Sequence, residues 1–166
     1  MTNDDSWIRD CGPTFLINDK GERRAVDWEF NAWGGLVDGL YFPWDQDALV
    51  ARKVCELTDT DSYKTEDFVL EGGSIHVDGE GTVMVTEMCL LHPSRNPHLS
   101  KEEIEQKLKD YLNCEKVIWV KDGIDPYETN GHIDDVACFV KPGEVACIYT
   151  EDENHPFYKE AKAAFE

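Results

Sequence analysis

The order of short elements along these 166 residues constrains the fold more than any other feature. Extended runs come in pairs joined by glycine turns, and the pairs alternate with amphipathic helices. Thr14-Phe15-Leu16-Ile17 and Ala25 to Phe30 flank Asn18-Asp19-Lys20-Gly21, the signature of a hairpin. Asp47 to Leu57 carries Leu49, Val50, Val54 and Leu57 at helical spacing. Phe68-Val69-Leu70 is extended and breaks at Gly72-Gly73. Ser74-Ile75-His76-Val77 resumes the strand, and Asp78-Gly79-Glu80-Gly81 turns it into Thr82 to Thr86. Ser100-Lys101-Glu102-Glu103 is a capping box opening a helix with Ile104, Leu108, Tyr111 and Leu112 on its buried stripe. Lys116 to Val120 is a strand, Val136 to Val140 and Val145 to Tyr149 form a third hairpin around Pro142-Gly143, and Pro156 to Phe165 begins a helix. The repeat is two paired strands, a helix and a further strand, with one unit over residues 68–120 and another beginning near 135. Such a repeat predicts an α/β fold of similar ββαβ modules, with functional residues at strand ends.

Charge narrows the partners. Sixteen Lys and Arg against 35 Asp and Glu give a formal net charge of −19. That surface disfavours nucleic acid and anionic membranes, and a cleft within it would concentrate a small cation. Solubility alone is the plainer explanation of the charge. Five Trp, six Tyr and seven Phe supply a core and argue against disorder. No apolar run approaches membrane-spanning length, and the polar, acidic first ten residues do not read as a signal peptide. The six cysteines have no CxxC spacing, and Cys138 and Cys147 sit in apolar strand patterns. Reduced thiols in a cytoplasmic protein are therefore expected, rather than a disulfide framework or a zinc site.

Four short acidic segments carry the chemistry: Trp7-Ile8-Arg9-Asp10-Cys11-Gly12-Pro13, Leu70-Glu71-Gly72-Gly73-Ser74-Ile75-His76, Glu128-Thr129-Asn130-Gly131-His132 and Ile133-Asp134-Asp135. Each sets a carboxylate or imidazole beside glycine, asparagine or a strand end, where backbone can approach a ligand closely. A planar cation suits them, because a carboxylate accepts two parallel N–H bonds from a guanidinium. His132 and Asp134, two apart, would face the same side of an extended segment. Plainer roles exist for each: a turn cap for Asp10, a loop carboxylate for Glu71, a surface histidine for His132, a solvated strand end for Asp134, a core aromatic for Trp7 and an exposed acid for Glu128.

Trp7-x-Arg9-Asp10-x-Gly12-Pro13, Glu71-Gly72-Gly73 and Glu128-Thr129-Asn130-Gly131-His132-Ile133-Asp134, in that order, closely resemble the agmatine-hydrolysing branch of the bacterial peptidylarginine-deiminase-like family, within the guanidine-modifying superfamily. The resemblance covers essentially the whole chain. It implies the α/β-propeller (pentein) fold, with residues 1–166 as a single partial domain holding the middle modules of the full enzyme. It implies hydrolysis of agmatine to N-carbamoylputrescine and ammonia, with no cofactor and no metal, in an enzyme that is a homo-oligomer. By motif position Asp10 and Asp134 correspond to the guanidinium-binding aspartates, His132 to the general acid/base and Glu71 to a further active-site carboxylate, with Trp7 and Glu128 as substrate-binding residues. Protein-bound arginine is the alternative substrate.

The family's nucleophile is a cysteine in a glycine-rich segment near the C-terminus, and none of the six cysteines has that context. Cys11 adjoins Asp10, whose charge would raise its pKa and blunt it as a nucleophile. Both ends read as cut, so part of a longer protein or a truncated gene product is expected, and the isolated chain is expected to be inactive. Two other readings stand beside the deiminase: a metal-dependent hydrolase built on His132, Asp134 and Asp135, and a non-catalytic guanidinium-binding fragment.

Overall fold

The computed structural model describes residues 2–165, which divide into two compact units. The first comprises Met1–Gly72 with Pro93–Asn96, the second Gly73–His92 with Pro97–Glu166.

The first unit opens with a single helical turn, α1 (Ile8–Cys11), followed by β1 (Thr14–Ile17) and β2 (Arg23–Glu29). β1 and β2 pair antiparallel, with Thr14 opposite Val26 and Ile17 opposite Arg23. A second helical turn, α2 (Gly35–Asp38), and the helix α3 (Val50–Leu57) lead into β3 (Ser62–Val69), which pairs parallel to β2. The result is a ββαβ module in the sheet order β1-β2-β3. Residues 47–49 enter α3 through a 3₁₀ turn, so the predicted helix from Asp47 is helical in two steps. β3 begins at Ser62, six residues before the extended run seen in the sequence. Its first six residues, Ser-Tyr-Lys-Thr-Glu-Asp, are too polar to read as a strand, and pairing with the buried β2 overrides that propensity. The register slips between Asp27 and Glu29, where the Thr65 hydroxyl accepts from the Glu29 amide at 3.1 Å and donates to the Phe68 carbonyl at 3.1 Å. The core joins Phe30, Ala32, Trp33 and Val50 to Cys11.

The second unit repeats the plan. β4 (His76–Val77) pairs antiparallel to β5 (Thr82–Thr86). The turn α4 (Glu87–Leu90) and the helix α5 (Lys101–Leu112) follow, and β6 (Lys116–Val120) returns parallel to β5. The capping box at Ser100 is formed, and α5 ends on Asn113 in the left-handed region. Ile104 and Leu108 are fully buried, each such side chain stabilising by about 1.5–3 kcal/mol. The predicted unit over 68–120 therefore begins later, at His76, because Phe68 and Val69 close the preceding module. The hairpin β7 (Ala137–Lys141) and β8 (Glu144–Cys147) and the helix α6 (Tyr158–Phe165) complete the described chain. Met84, Ile133, Val136 and Ala137 are the buried centre here. All six cysteines are free. Four are buried, and Cys138 and Cys147 are half-buried. No helix of the described residues is long and apolar enough to cross a membrane.

Candidate functional site

In the first unit, the Trp7–Asp10 motif folds as α1, with the Cys11 amide donating to the Trp7 carbonyl at 3.2 Å. That turn buries Asp10 and Cys11 and leaves Trp7 60% exposed. The Asp10 carboxylate accepts from the Trp33 indole N–H at 3.1 Å. Trp33 stands in a strained stretch: Ala32 and Trp33 have φ of 55° and 60°, a region that costs a non-glycine residue roughly 1–3 kcal/mol. Burial, the charge of Asp47 and then that of Asp10 push the Cys11 thiol up to about 12. The predicted cause, Asp10, is therefore the weaker part of the effect, and the conclusion that Cys11 is a poor nucleophile stands.

Glu71 follows the end of β3, and its backbone is steered by Asn96. The Asn96 side chain accepts from the Val69 amide and donates to the Val69 carbonyl, both at 2.8 Å, extending the ladder where the strand ends. The Glu71 carboxylate is fully buried against Arg95, whose Nε donates to Oε1 at 2.6 Å; both side chains are 1% exposed. Burial raises the Glu71 carboxyl above its ordinary range, while the charge and hydrogen bond of Arg95 pull the other way. Gly72 is required by contact: a Cβ there would overlap the carbonyl oxygen of Arg9, so the Glu71 motif packs backbone to backbone against the Asp10 motif.

In the second unit the segment before His132 is a capped loop. The Asp125 carboxylate accepts from the amides of Tyr127, Glu128 and Thr129 and from the Thr129 hydroxyl. Burial pushes the Asp125 carboxyl up, but those bonds outweigh it and leave it below the usual carboxylate range. Asn130 and Gly131 both have positive φ, and a Cβ on Gly131 would meet the Met88 sulfur at 2.7 Å and Gly123 Cα at 2.9 Å. The Thr86 hydroxyl donates to the Gly131 carbonyl at 2.6 Å. His132, 2% exposed, emerges from this loop, with its amide on the Thr129 hydroxyl.

One expectation is overturned here. Ile133–Asp135 is a 3₁₀ turn, not an extended segment, so the same-face argument for His132 and Asp134 does not apply. The turn nevertheless leaves His132 Nδ1 3.9 Å from Asp134 Oδ1, with the aspartate 38% exposed. Nor do His132, Asp134 and Asp135 gather as a metal-ligating trio among the described residues. Glu128 is exposed. Asp10 and Glu71 thus belong to the first unit, His132 and Asp134 to the second. A cavity of about 430 Å³ in the second unit, between Met88, Ile124, Tyr127 and Glu160, is lined by none of the predicted site residues. Trp33 and Arg95 were missed by sequence reasoning. The one signal for Arg95 is a polar triplet, Ser94-Arg95-Asn96, bracketed by Pro93 and Pro97.

The sequence profile of Porphyromonas-type peptidyl-arginine deiminase matches residues 1–166. A Streptococcus mutans protein, provisionally named an agmatine deiminase, is 86% identical over 166 residues, covering 100% of this chain and 45% of its own length. Among solved structures, an agmatine deiminase of Enterococcus faecalis superposes with a TM-score of 0.98 at 73% identity, over 99% of this chain and 45% of that one. A cysteine-to-serine variant of a C. jejuni agmatine deiminase with substrate bound gives 0.87 at 33% identity, over 99% and 49%. The chain spans about half the length of the relatives it matches.

Proposed function

The chain belongs to the Porphyromonas-type peptidyl-arginine deiminase family, and on that premise we propose that it supplies the guanidinium-binding acids and the proton-transferring histidine for hydrolysis of agmatine to N-carbamoylputrescine and ammonia. One observation carries the reading: three of the motif groups, Asp10, Glu71 and His132, are buried to 6%, 1% and 2% exposure. Buried ionisable side chains are costly and concentrate where chemistry uses them. The names of the agmatine deiminases reported above support the substrate. The family's peptidyl-arginine description keeps protein-bound arginine as the second reading.

The chemistry follows from the charges. Guanidinium is a poor electrophile because its charge is delocalised. Asp10 and Asp134 grip its nitrogens and Glu71 adds a third anion, which fixes the plane and concentrates positive charge on carbon. A thiolate attacks that carbon. His132 protonates the departing nitrogen, ammonia leaves, and a covalent thiouronium remains. The same imidazole then takes a proton from water as the water attacks, and the thiol is released. Trp7 and Glu128 serve the alkylamine end. The nucleophile is not Cys11, whose thiol is pushed up to about 12, and lies outside these residues. The ββαβ modules are part of a propeller with a pseudo-fivefold axis, in a cytoplasmic homo-oligomer feeding putrescine formation. The repeated sheet orders β1-β2-β3 and β4-β5-β6 support the propeller.

Ammonia release from agmatine by the intact protein tests the reading. Release should stop on thiol alkylation and fall by a factor of about 10²–10⁴ in His132→Ala. Activity that survives alkylation and is lost to EDTA would overturn it in favour of metal-dependent hydrolysis.

A further inference from the structure

Asp10 and Glu71 are joined by a continuous chain of contacts within the first unit. The Trp33 indole N–H donates to Asp10 Oδ2 at 3.1 Å. The carbonyl of the same Trp33 accepts from Arg95 Nη1 at 2.8 Å, and Arg95 Nε donates to Glu71 Oε1 at 2.6 Å. Ser94 Oγ accepts a second bond from Nη1 at 2.8 Å, fixing the plane of the guanidinium. Each member is buried: Asp10 6%, Trp33 3%, Arg95 5% and Glu71 1% exposed.

Two features set this chain of contacts apart from ordinary core packing. First, the Trp33 backbone lies in the left-handed region, in the run Ala32-Trp33-Gly34-Gly35, where all four φ are positive. Strain of that kind persists when surrounding structure over-determines it, and it gathers at sites that need a fixed geometry. The surroundings here are Phe30 and Tyr41, whose rings meet the indole edge-on at 5.2 and 6.0 Å. Second, a buried Arg–Glu pair is weak as a stabilising device, since apolar side chains of the same volume commonly do as well.

We propose that Trp33 and Arg95 are positioning residues that hold Asp10 and Glu71 in one fixed relation, Trp33 by orienting the Asp10 carboxylate and Arg95 by countering and orienting the charge of Glu71. The inference rests on the reading of Asp10 and Glu71 as guanidinium-binding acids. A carboxylate that grips a planar cation bidentately must keep its own plane, and a hydrogen bond to one oxygen does that. Arg95 brings a cation to this chain of contacts, and it opposes the effect of burial on Glu71.

The test is agmatine hydrolysis by the intact protein carrying Trp33→Phe, Asp10→Asn, both together, and Arg95→Lys and Arg95→Gln. Trp33→Phe keeps an aromatic ring but removes the N–H together with one of the two fused rings, so the Asp10→Asn background is needed to separate the lost hydrogen bond from the lost volume. The substitution should lower kcat about tenfold, as loss of one hydrogen bond near 1.4 kcal/mol implies, with KM little changed. In the Asp10→Asn background the same substitution should cost clearly less, because only the lost volume remains and the part that runs through the carboxylate is gone. Arg95→Gln should lower kcat by about 10² or more and move the acid limb of the pH profile upward, as Glu71 loses its counter-charge. Arg95→Lys should return the limb while leaving the rate below the parent, since it restores charge without the planar fork. Equal losses from Trp33→Phe in both backgrounds, or an unmoved acid limb in Arg95→Gln, would show structural roles only and overturn the proposal. A parent protein that hydrolyses no guanidine defeats the functional reading and this inference with it. Parent activity with Trp33→Phe and Arg95→Lys both at full rate defeats the inference alone.

Discussion

The two units build the same ββαβ module yet fix their chemistry-bearing groups in opposite ways. The first holds Asp10 and Glu71 with side chains, through the Trp33 indole and the Arg95 guanidinium. The second holds His132 through the backbone of its own loop, which the Asp125 carboxylate, the left-handed Asn130-Gly131 pair and the Thr86 hydroxyl shape. The difference matches the groups being held. A buried carboxylate needs a counter-charge and donors, or it takes up a proton. An imidazole used as both acid and base must change charge during the reaction, and its loop sets the ring 3.9 Å from the Asp134 carboxylate.

Substitutions in each unit can break this contrast. The largest expected effect is in the first: Arg95→Met leaves Glu71 buried without its partner and should destabilise that unit by about 3–5 kcal/mol in chemical denaturation at neutral pH. The second unit is most sensitive at Gly131. An alanine there meets Met88 and Gly123 in a positive-φ conformation, and about 2 kcal/mol should be lost. Asp125→Asn should cost about 1–2 kcal/mol, with a pH signature. The Asp125 carboxyl is depressed in the folded state. Its stabilisation is thus present above the unfolded value, near pH 3.9, and lost as pH falls through the folded value. The parent should lose stability on that descent, and Asp125→Asn should lack that component. Glu71 runs the other way: raised when folded, its protonated form favours folding at low pH, and the benefit fades as pH climbs from about 4.3 toward the folded value. Ser100→Ala is a reference for a cap with no functional neighbour and should cost about 1 kcal/mol. An Asp125→Asn effect as large as that of Arg95→Met would dissolve the distinction between the two units.

What the sequence revealed follows the same divide. Hairpins, α5 and its capping box were legible because period and turn residues are local signals, as at Asn18 to Gly21 and Ser100 to Glu103. The first six residues of β3 were hidden because a polar strand is selected by the strand beside it. The three buried motif groups were found through their motifs, whereas Trp33 and Arg95 were not. Their roles depend on contacts spanning 23 and 24 residues, between segments with no shared pattern. The 3₁₀ turn at Ile133–Asp135 was not legible because the two-residue spacing of His132 and Asp134 says nothing of backbone conformation, while the preceding left-handed pair redirects the chain.

The central claim is that these groups direct attack at the guanidinium carbon and expel a terminal nitrogen. Agmatine labelled with ¹³C at that carbon, incubated with the intact protein and followed by NMR, tests it most directly. The account predicts that the label moves into the ureido carbon of N-carbamoylputrescine with one ammonia released per turnover. Label appearing in free urea, with putrescine formed, would mean that the bond to the alkyl nitrogen breaks instead, and would contradict it.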